Sequence, residues 1–400
     1  MLRLDLGDLP VASSETARHI NRRIVLNLIR DKQPISRADL ARFSGLQRST
    51  VSLITEELIH DRWVVEGTTG RLPRGRRPTL LLLNQRRRII CIDIRPLRTA
   101  IGISDVNGVF SFQELIPTAA DPQRAIRNML QRLRPLLKTR SDGPFEGIGI
   151  SLPGRIDLAT QELVFAPNLK WPITDLKTVI ERDTGLEVAL ENAANACALA
   201  ELWSGRLGAI RDFVAITVSE GIGTGIVSDG RLVRGSSGMA GEFGHFPLDP
   251  SGPLCGCGNR GCWEILASET AALRYYSEST ARVNKSRHSN LEFQGLLALA
   301  EKGDVLAGKA LDKMAVQLAR GLRMIVAALA PEALLLIGEF TAAWSRFEPR
   351  LKTEVRQQTL GSVPVSLIPA RDGAIVRLRG SVALILQKHF GLSLAAPASK

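Results

Sequence analysis

The run GHFPLDPSGPLCGCGNRGCWE places one imidazole and three thiols within eighteen residues: His245, Cys255, Cys257 and Cys262. One nitrogen and three thiolate sulfurs form a closed tetrahedral set of the kind that holds structural Zn²⁺. The C-x-C pair and the C-x4-C spacing make a compact knuckle over 245–262, and Gly256, Gly258 and Gly261 let the backbone wrap an ion. Zinc fingers that read DNA space two ligand pairs around a helix of about a dozen residues, and no such helix fits here. The knuckle is therefore expected to be a scaffold. It holds the segment carrying Glu242 and His245 close to Glu264, so that two carboxylates and a metal-oriented imidazole share one cleft wall. Such convergent acceptors suit a small ligand ringed with hydroxyls. The remaining cysteines, Cys91 and Cys197, lie outside this pattern and read as small core residues.

These groups must be positioned by a chain of 400 residues, 44% hydrophobic and 23% charged. That length exceeds one hydrophobic core and predicts two or three domains. No apolar run approaches the length of a bilayer span, and MLRLDLGDLP lacks the apolar centre of a signal peptide, so a cytoplasmic protein with no membrane partner is expected. In that reducing compartment, clustered cysteines read as metal ligands or reactive thiols rather than disulfides. The net charge of +12 is uneven: residues 1–88 hold 17 Lys+Arg against 9 Asp+Glu. One module is thus expected to meet a polyanion.

That module reads as a winged helix-turn-helix over 20–83, after an arm at 1–19. Ile24, Leu28 and Ile29 recur at helical spacing. Ser36 is a candidate N-cap with Asp39 at the third helical position, a near capping box. Leu40, Ala41 and Phe43 give the next helix an apolar side, and Gly45 makes the tight turn into a third helix at about 47–60. That helix buries Val51, Ile54, Leu58 and Ile59, while Gln47, Arg48, Ser49, Thr50 and Ser52 give its opening turn the polar face of a recognition helix. Arg37, which follows the Ser36 cap, is a further candidate DNA-binding residue. RWVVEG and RPTLLLLN then flank a basic tip, where Arg71, Arg74, Arg76 and Arg77 can reach phosphates or a minor groove. The expected partner is a double-stranded DNA operator. A three-helix interaction module would share these helices but would have no need of the charged wing.

From Arg88 onward, short apolar strands alternate with helices. RIICIDIRPLRTAIGISDVNG and DFVAITVSEGIGTGIVSDGRLVRG each read as strand, turn and strand, and DPQRAIRNMLQRLRPLLKTR as an amphipathic helix. Two halves that open alike imply a duplicated α/β fold with a cleft between lobes. ISLPGRID, FAPNLKW, ENAANACALAE, SEGIGTGIVSDGRLVRGSSGMAGEFGH and CGCGNRGCWE stand in an order and spacing that resemble the ROK family of bacterial sugar kinases and repressors, over 84–400. The winged module resembles the family's repressor branch. The resemblance implies an α/β, actin/hexokinase-like (ribonuclease H-like), duplicated two-lobed domain behind an all-α winged helix-turn-helix domain. It also implies zinc at the knuckle, and a sugar effector contacted by Glu242, His245 and Glu264 from one lobe and by Asn192, the Gly154 loop and Asn168 from the other.

Kinases of this family carry their base as Asp in a Glu-Asn-Asp run, where this chain reads Glu191-Asn192-Ala193. Alanine accepts no proton. Their Asp-x-Gly-Gly-Thr phosphate loop is here Asp93 followed by Arg95 and Pro96, and proline has no N–H to offer a phosphate. Glu339 stands in IGEF where a second glycine is usual; only GIGTG, Gly221 to Gly225, keeps the kinase pattern. The expectation is a sugar-responsive regulator without catalytic residues, acting as a homodimer or homotetramer on paired half-sites. A residual kinase fused to a DNA-binding domain is the alternative.

Overall fold

The computed structural model describes residues 14–69, 78–138, 143–282, 291–356, 365–370 and 373–391. Its first unit runs α1 (Ser14–Lys32), β1 (Ile35–Ser36), α2 (Arg37–Ser44), α3 (Arg48–His60), β2 (Val64–Thr69) and β3 (Thr79–Leu83). The Ser36 hydroxyl accepts the Asp39 N–H at 3.1 Å and donates to the Asp39 carboxylate at 2.7 Å, so the near capping box forms and starts α2. Gly45 ends α2 at φ 71°, a left-handed conformation that favours glycine.

Two expectations need correction here. α1 begins at Ser14, so six residues assigned to the arm are helical, and it buries Val25, Leu26 and Ile29 while Ile24 is exposed. The unit is also not all-α. The two-residue strand β1 joins the wing in a sheet of order β1-β3-β2, because Ile35 and Ser36 pair with Leu81 and Leu80. A two-residue strand has no period for a sequence reading to find.

The body begins with β4 (Arg88–Ile94), β5 (Arg98–Asp105), β6 (Phe110–Pro117), α4 (Pro122–Lys138) and β7 (Phe145–Leu152). A small pair, β8 (Arg155–Ile156) and β9 (Leu163–Phe165), then leads to α5 (Leu176–Thr184), β10 (Val188–Asn192) and α6 (Ala193–Ser204). The second lobe runs β11 (Phe213–Val218), β12 (Ile222–Ser228), β13 (Arg231–Val233), a 3₁₀ turn Glu242–His245, α7 (Trp263–Ala267), α8 (Glu269–Arg282), α9 (Phe293–Glu301) and α10 (Val305–Leu329). It ends with β14 (Ala333–Ile337), a 3₁₀ turn Glu339–Ala343, α11 (Trp344–Arg356), β15 (Ser366–Pro369) and α12 (Gly373–Phe390).

The two five-stranded sheets have orders β10-β7-β4-β5-β6 and β13-β12-β11-β14-β15. In each, the first strand pairs antiparallel with the second and parallel with the fourth, so the sheets are one topology repeated. β4, β11 and β14 are buried along their whole length, as central strands covered on both faces must be. α12 packs against α6 and also against β7 and β4, returning the end of the chain to the first lobe. One continuous apolar core includes side chains of α6, α12, β11 and the winged unit.

The winged unit is seated on the end of α12. The Trp63 ring lies 4.2 Å from that of His389, Phe390 meets Trp203 edge-on at 4.6 Å, and Arg30 stacks over Trp203. Asn27 donates to the Phe390 carbonyl at 2.7 Å, and Arg87, paired with Glu146, donates to the carbonyls of Asp61 and Arg62.

Candidate functional site

The cleft between the lobes is assembled from strand ends and helix starts. β10 runs directly into α6, and the Asn192 side chain caps that helix by accepting the Ala194 N–H at 2.8 Å. Its Nδ2 donates to the Gly154 carbonyl at 2.9 Å, so one residue fixes both the helix start and the Gly154 loop. It keeps one N–H and one lone pair for a ligand. Gly154 has φ 126°, and a Cβ there would lie 2.4 Å from the Phe165 carbonyl oxygen. Glu191 is locked from the other side: its Oε2 takes Arg234 Nε and Nη2, both at 2.8 Å, and its Oε1 takes Asn195 at 3.0 Å. Glu191 thus braces the cleft wall.

Glu242 and His245 sit on the 3₁₀ turn and Glu264 opens α7. Glu264 is buried; its Oε2 accepts from Asn168 Nδ2 and from the Ile222 N–H, each at 3.4 Å. Burial raises the Glu242 carboxyl, against the pull of His245. All six residues expected to contact a sugar, Gly154, Asn168, Asn192, Glu242, His245 and Glu264, line this one narrow cleft. Ala193 lines it too, a methyl group at the position where a base was expected. The sequence reading missed Arg155, Glu220 and Arg377, which share the lining. The two arginines, Arg377 and Arg379, inside the mostly apolar AIVRLRGSVALIL were the available signal for Arg377.

The knuckle brings its four ligand atoms within 4.8 Å of one another. Cys255 Sγ lies 3.6 Å from His245 Nδ1, and Cys257 Sγ lies 3.6 Å from Cys262 Sγ. Edges of a tetrahedron with Zn–S and Zn–N bonds of ordinary length span roughly 3.5–3.8 Å, so the donors fit. The loop is tied by Cys255 N–H to the Asn259 carbonyl at 2.7 Å and by paired N–H groups of Leu248 and Asp249 on the Gly261 carbonyl. Burial pushes the Cys262 thiol up to about 11 and Cys255 higher, so a cation is needed to hold these sulfurs as thiolates. The two nitrogens of His245 face different neighbours. Nδ1 lies 3.6 Å from Cys255 Sγ and 3.3 Å from Glu264 Oε1, which also accepts from the Cys255 thiol at 3.1 Å, and Nε2 lies 3.9 Å from Glu242 Oε2 on the cleft side. Cys91 and Cys197 are fully buried, with the thiol of Cys197 raised to about 12.

On the nucleotide side of the resemblance, Asp93 is wholly buried and both oxygens are engaged, one by Ser151 Oγ and one by Arg95 Nε, each at 2.7 Å. The β4–β5 turn is tight, closed by the Arg95 N–H on the Arg98 carbonyl, with no glycine loop to wrap a phosphate.

On the winged unit, Gln47, Arg48 and Ser49 are exposed and Thr50 and Ser52 half-exposed, at the open end of α3. Exposed Leu53 follows them and was not anticipated; an apolar side chain there suits a thymine methyl. Arg37 is placed differently from the expectation: it donates to Thr55 and pairs with Glu66 at 2.9 Å, bracing α3 against β2. Arg71, Arg74, Arg76 and Arg77 lie outside the described residues. No helix among the described residues is long and apolar enough to cross a membrane.

Comparison with known proteins adds three findings. The xylose repressor of Caldicellulosiruptor bescii is 29% identical over 384 residues, covering 92% of this chain and 96% of the relative. A ROK family transcriptional regulator homologous to the E. coli MLC protein superposes with a TM-score of 0.76 at 26% identity, covering 94% of this chain and 99% of that one. The ROK family glucokinase of Streptomyces griseus, solved with glucose and AMPPNP, gives a TM-score of 0.68 at 27% identity, over 74% of this chain and 98% of that one. The second lies along nearly the whole chain, and the third omits about a quarter of it. The ROK family description matches residues 89–388, nearly all of the duplicated two-lobed body, and the chain belongs to that family.

Proposed function

We propose that this protein is a DNA-binding transcriptional regulator, a repressor whose kinase-like body senses a sugar without phosphorylating it. The observation that carries the reading is the cleft itself: six polar or loop residues suited to a polyol converge on it, and Ala193 occupies the position of a base. The xylose repressor and the MLC-like regulator, both aligned along nearly the full chain, support it. In this reading Glu242, Glu264, Asn168 and the free capacity of Asn192 hold the sugar hydroxyls, and the Gly154 loop closes one edge. His245, Cys255, Cys257 and Cys262 bind Zn²⁺ as a structural ion that orients the His245 ring and fixes the wall. The exposed opening of α3 enters the major groove of an operator, and the wing arginines meet the backbone. Paired half-sites call for a dimer or tetramer.

The sugar acts by its difference in affinity for two lobe arrangements. α12 carries that difference to the winged unit, because its far end holds Trp63 and Asn27. The kinase alternative draws on the retained Gly221–Gly225 loop and on glucokinase relatives; Ala193 and the engaged Asp93 weigh against it. A coupled assay with ATP and a panel of hexoses and pentoses decides. The expected result is no turnover together with binding of at least one neutral sugar by calorimetry; turnover abolished by Glu242→Ala would establish the kinase instead.

A further inference from the structure

The short pair β8–β9 forms one lip of the cleft. Ile156 lies opposite Leu163 and Arg155 opposite Phe165, with a bulge between the two pairs. Ile156 and Leu163 turn into the apolar core of the first lobe, so Arg155 and Phe165 project together from the other side of the pair. Both line the cleft. Phe165 is 42% exposed, and its carbonyl oxygen is turned towards Gly154, so the exposed part is the ring.

Neither side chain has a partner. The Arg155 guanidinium makes no hydrogen bond, ion pair or ring contact among the described residues, and the Phe165 ring no ring contact. The lip continues as an apolar shelf. A Cβ on Gly238, which lines the cleft from the second lobe, would stand 3.5 Å from Leu158 Cγ, and both Leu158 and Met239 are exposed. One exposed phenylalanine or one solvated arginine is ordinary on a protein surface. An aromatic plane beside an unused guanidinium at the mouth of a ligand cleft is not.

A pyranose has two kinds of surface. Its rim of hydroxyls takes hydrogen bonds, while its faces expose C–H groups that pack by dispersion on an aromatic plane of partial negative charge. Glu242, Glu264, Asn168 and Asn192 inside the cleft suit a rim. The mouth supplies what they lack: a plane for a ring face, and a group with five N–H donors for neighbouring hydroxyls.

We propose that β8–β9 carries a second sugar subsite, in which Phe165 underlies the ring and Arg155 donates to its hydroxyls. The effector is then a disaccharide, with one ring in the cleft and the other at its mouth. This rests on the sugar-sensing reading of the cleft and names its ligand class. A carboxylate on a single ring would also answer Arg155, but it gives Phe165 no part and brings a third carboxylate beside Glu242 and Glu264.

Calorimetry on the full-length zinc-loaded protein tests this, with neutral monosaccharides, their α- and β-linked disaccharides and uronic acids as probes. The expected result is a disaccharide bound at least tenfold more tightly than either of its constituent sugars. Phe165→Ala and Arg155→Met should each bring that ratio down to about two or less, and Phe165→Tyr, which keeps the plane, should retain it; thermal midpoint and zinc content report that each variant folds. The inference is overturned if no disaccharide shows the gain, if the gain survives both Phe165→Ala and Arg155→Met, or if a uronic acid binds more tightly than every disaccharide. Monosaccharides that bind without any gain from a second ring sink this inference alone. A protein that binds no sugar of any of these kinds loses the sensor reading as well.

Discussion

At the residue scale, the proposed reading gives the two nitrogens of His245 two jobs, and this divides the predictions. Nδ1 belongs to a donor set of three sulfurs, so removing one sulfur opens the closed coordination sphere. Cys257→Ser is expected to lose bound zinc, from about one equivalent per chain to near none by plasma mass spectrometry, and to lose the sugar response with it. A variant without zinc that still answers sugar would separate the knuckle from the cleft. Glu242 sits on the cleft side of the same ring. Replacing it with alanine removes a charge-assisted acceptor from the ligand, a loss of about 1.5–3 kcal/mol, or roughly 10- to 150-fold in sugar affinity. Unchanged sugar affinity in Glu242→Ala would remove it from the binding set.

At the element scale, α3 and the end of α12 carry the argument. The first turn of α3 is polar and largely exposed while Val51, Ile54, Thr55 and Leu58 on its other face are buried, which is the division a groove-reading helix requires. Arg48→Ala should weaken operator binding by about 1–3 kcal/mol in fluorescence anisotropy at fixed salt if Arg48 reads a base edge. A loss that is equal on operator and random DNA would assign it to phosphate instead. At the far end of α12, His389 is half-buried against Trp63 and lies among Lys388, Arg87 and Arg22; desolvation first, then those charges, lowers it from 6.5 to about 4. The neutral imidazole is favoured in the folded state, so the unfolded chain takes up more protons between those values. Stability is therefore present above pH 6.5 and is lost as pH falls towards 4. His389→Phe keeps a ring against Trp63 and should flatten the acid limb of thermal midpoint against pH; an unchanged limb would show that other groups set it.

At the scale of the whole molecule, one apolar core joins the winged unit to α12 and α6, and those helices lie between the repeated sheets. A sugar that favours one lobe arrangement must then strain or relieve the seat of the winged unit. Coupling free energies of this kind run to about 1–3 kcal/mol, so saturating sugar should shift operator affinity by roughly 5- to 150-fold, towards release. Titrating labelled operator with and without sugar measures it, and the reciprocal shift in sugar affinity on adding operator must have equal size. Equal operator affinity in the two conditions would mean that the core transmits nothing. Arg30, stacked on Trp203, and Asn27, bonded to the end of α12, are among the side chains through which that seat is held.

The sequence alone determined what depends on short range. Ser36 and Gly45 bound a helix because capping and left-handed φ are local properties, and the knuckle was legible because four metal-ligating side chains at close spacing leave the chain little choice of geometry. The repeated strand-turn-strand openings announced the duplication, and Ala193 is a statement about chemistry that needs no coordinates. Tertiary structure decided what depends on distant partners. β1 exists only because β3 lies beside it, Arg37 is held by Thr55 and Glu66 rather than left for DNA, and Ile24 is exposed because Val25, Leu26 and Ile29 face the core. Arg377 is the clearest case: 158 residues separate it from Ser219, and its buried position in the cleft wall arises from α12 folding back onto the first lobe.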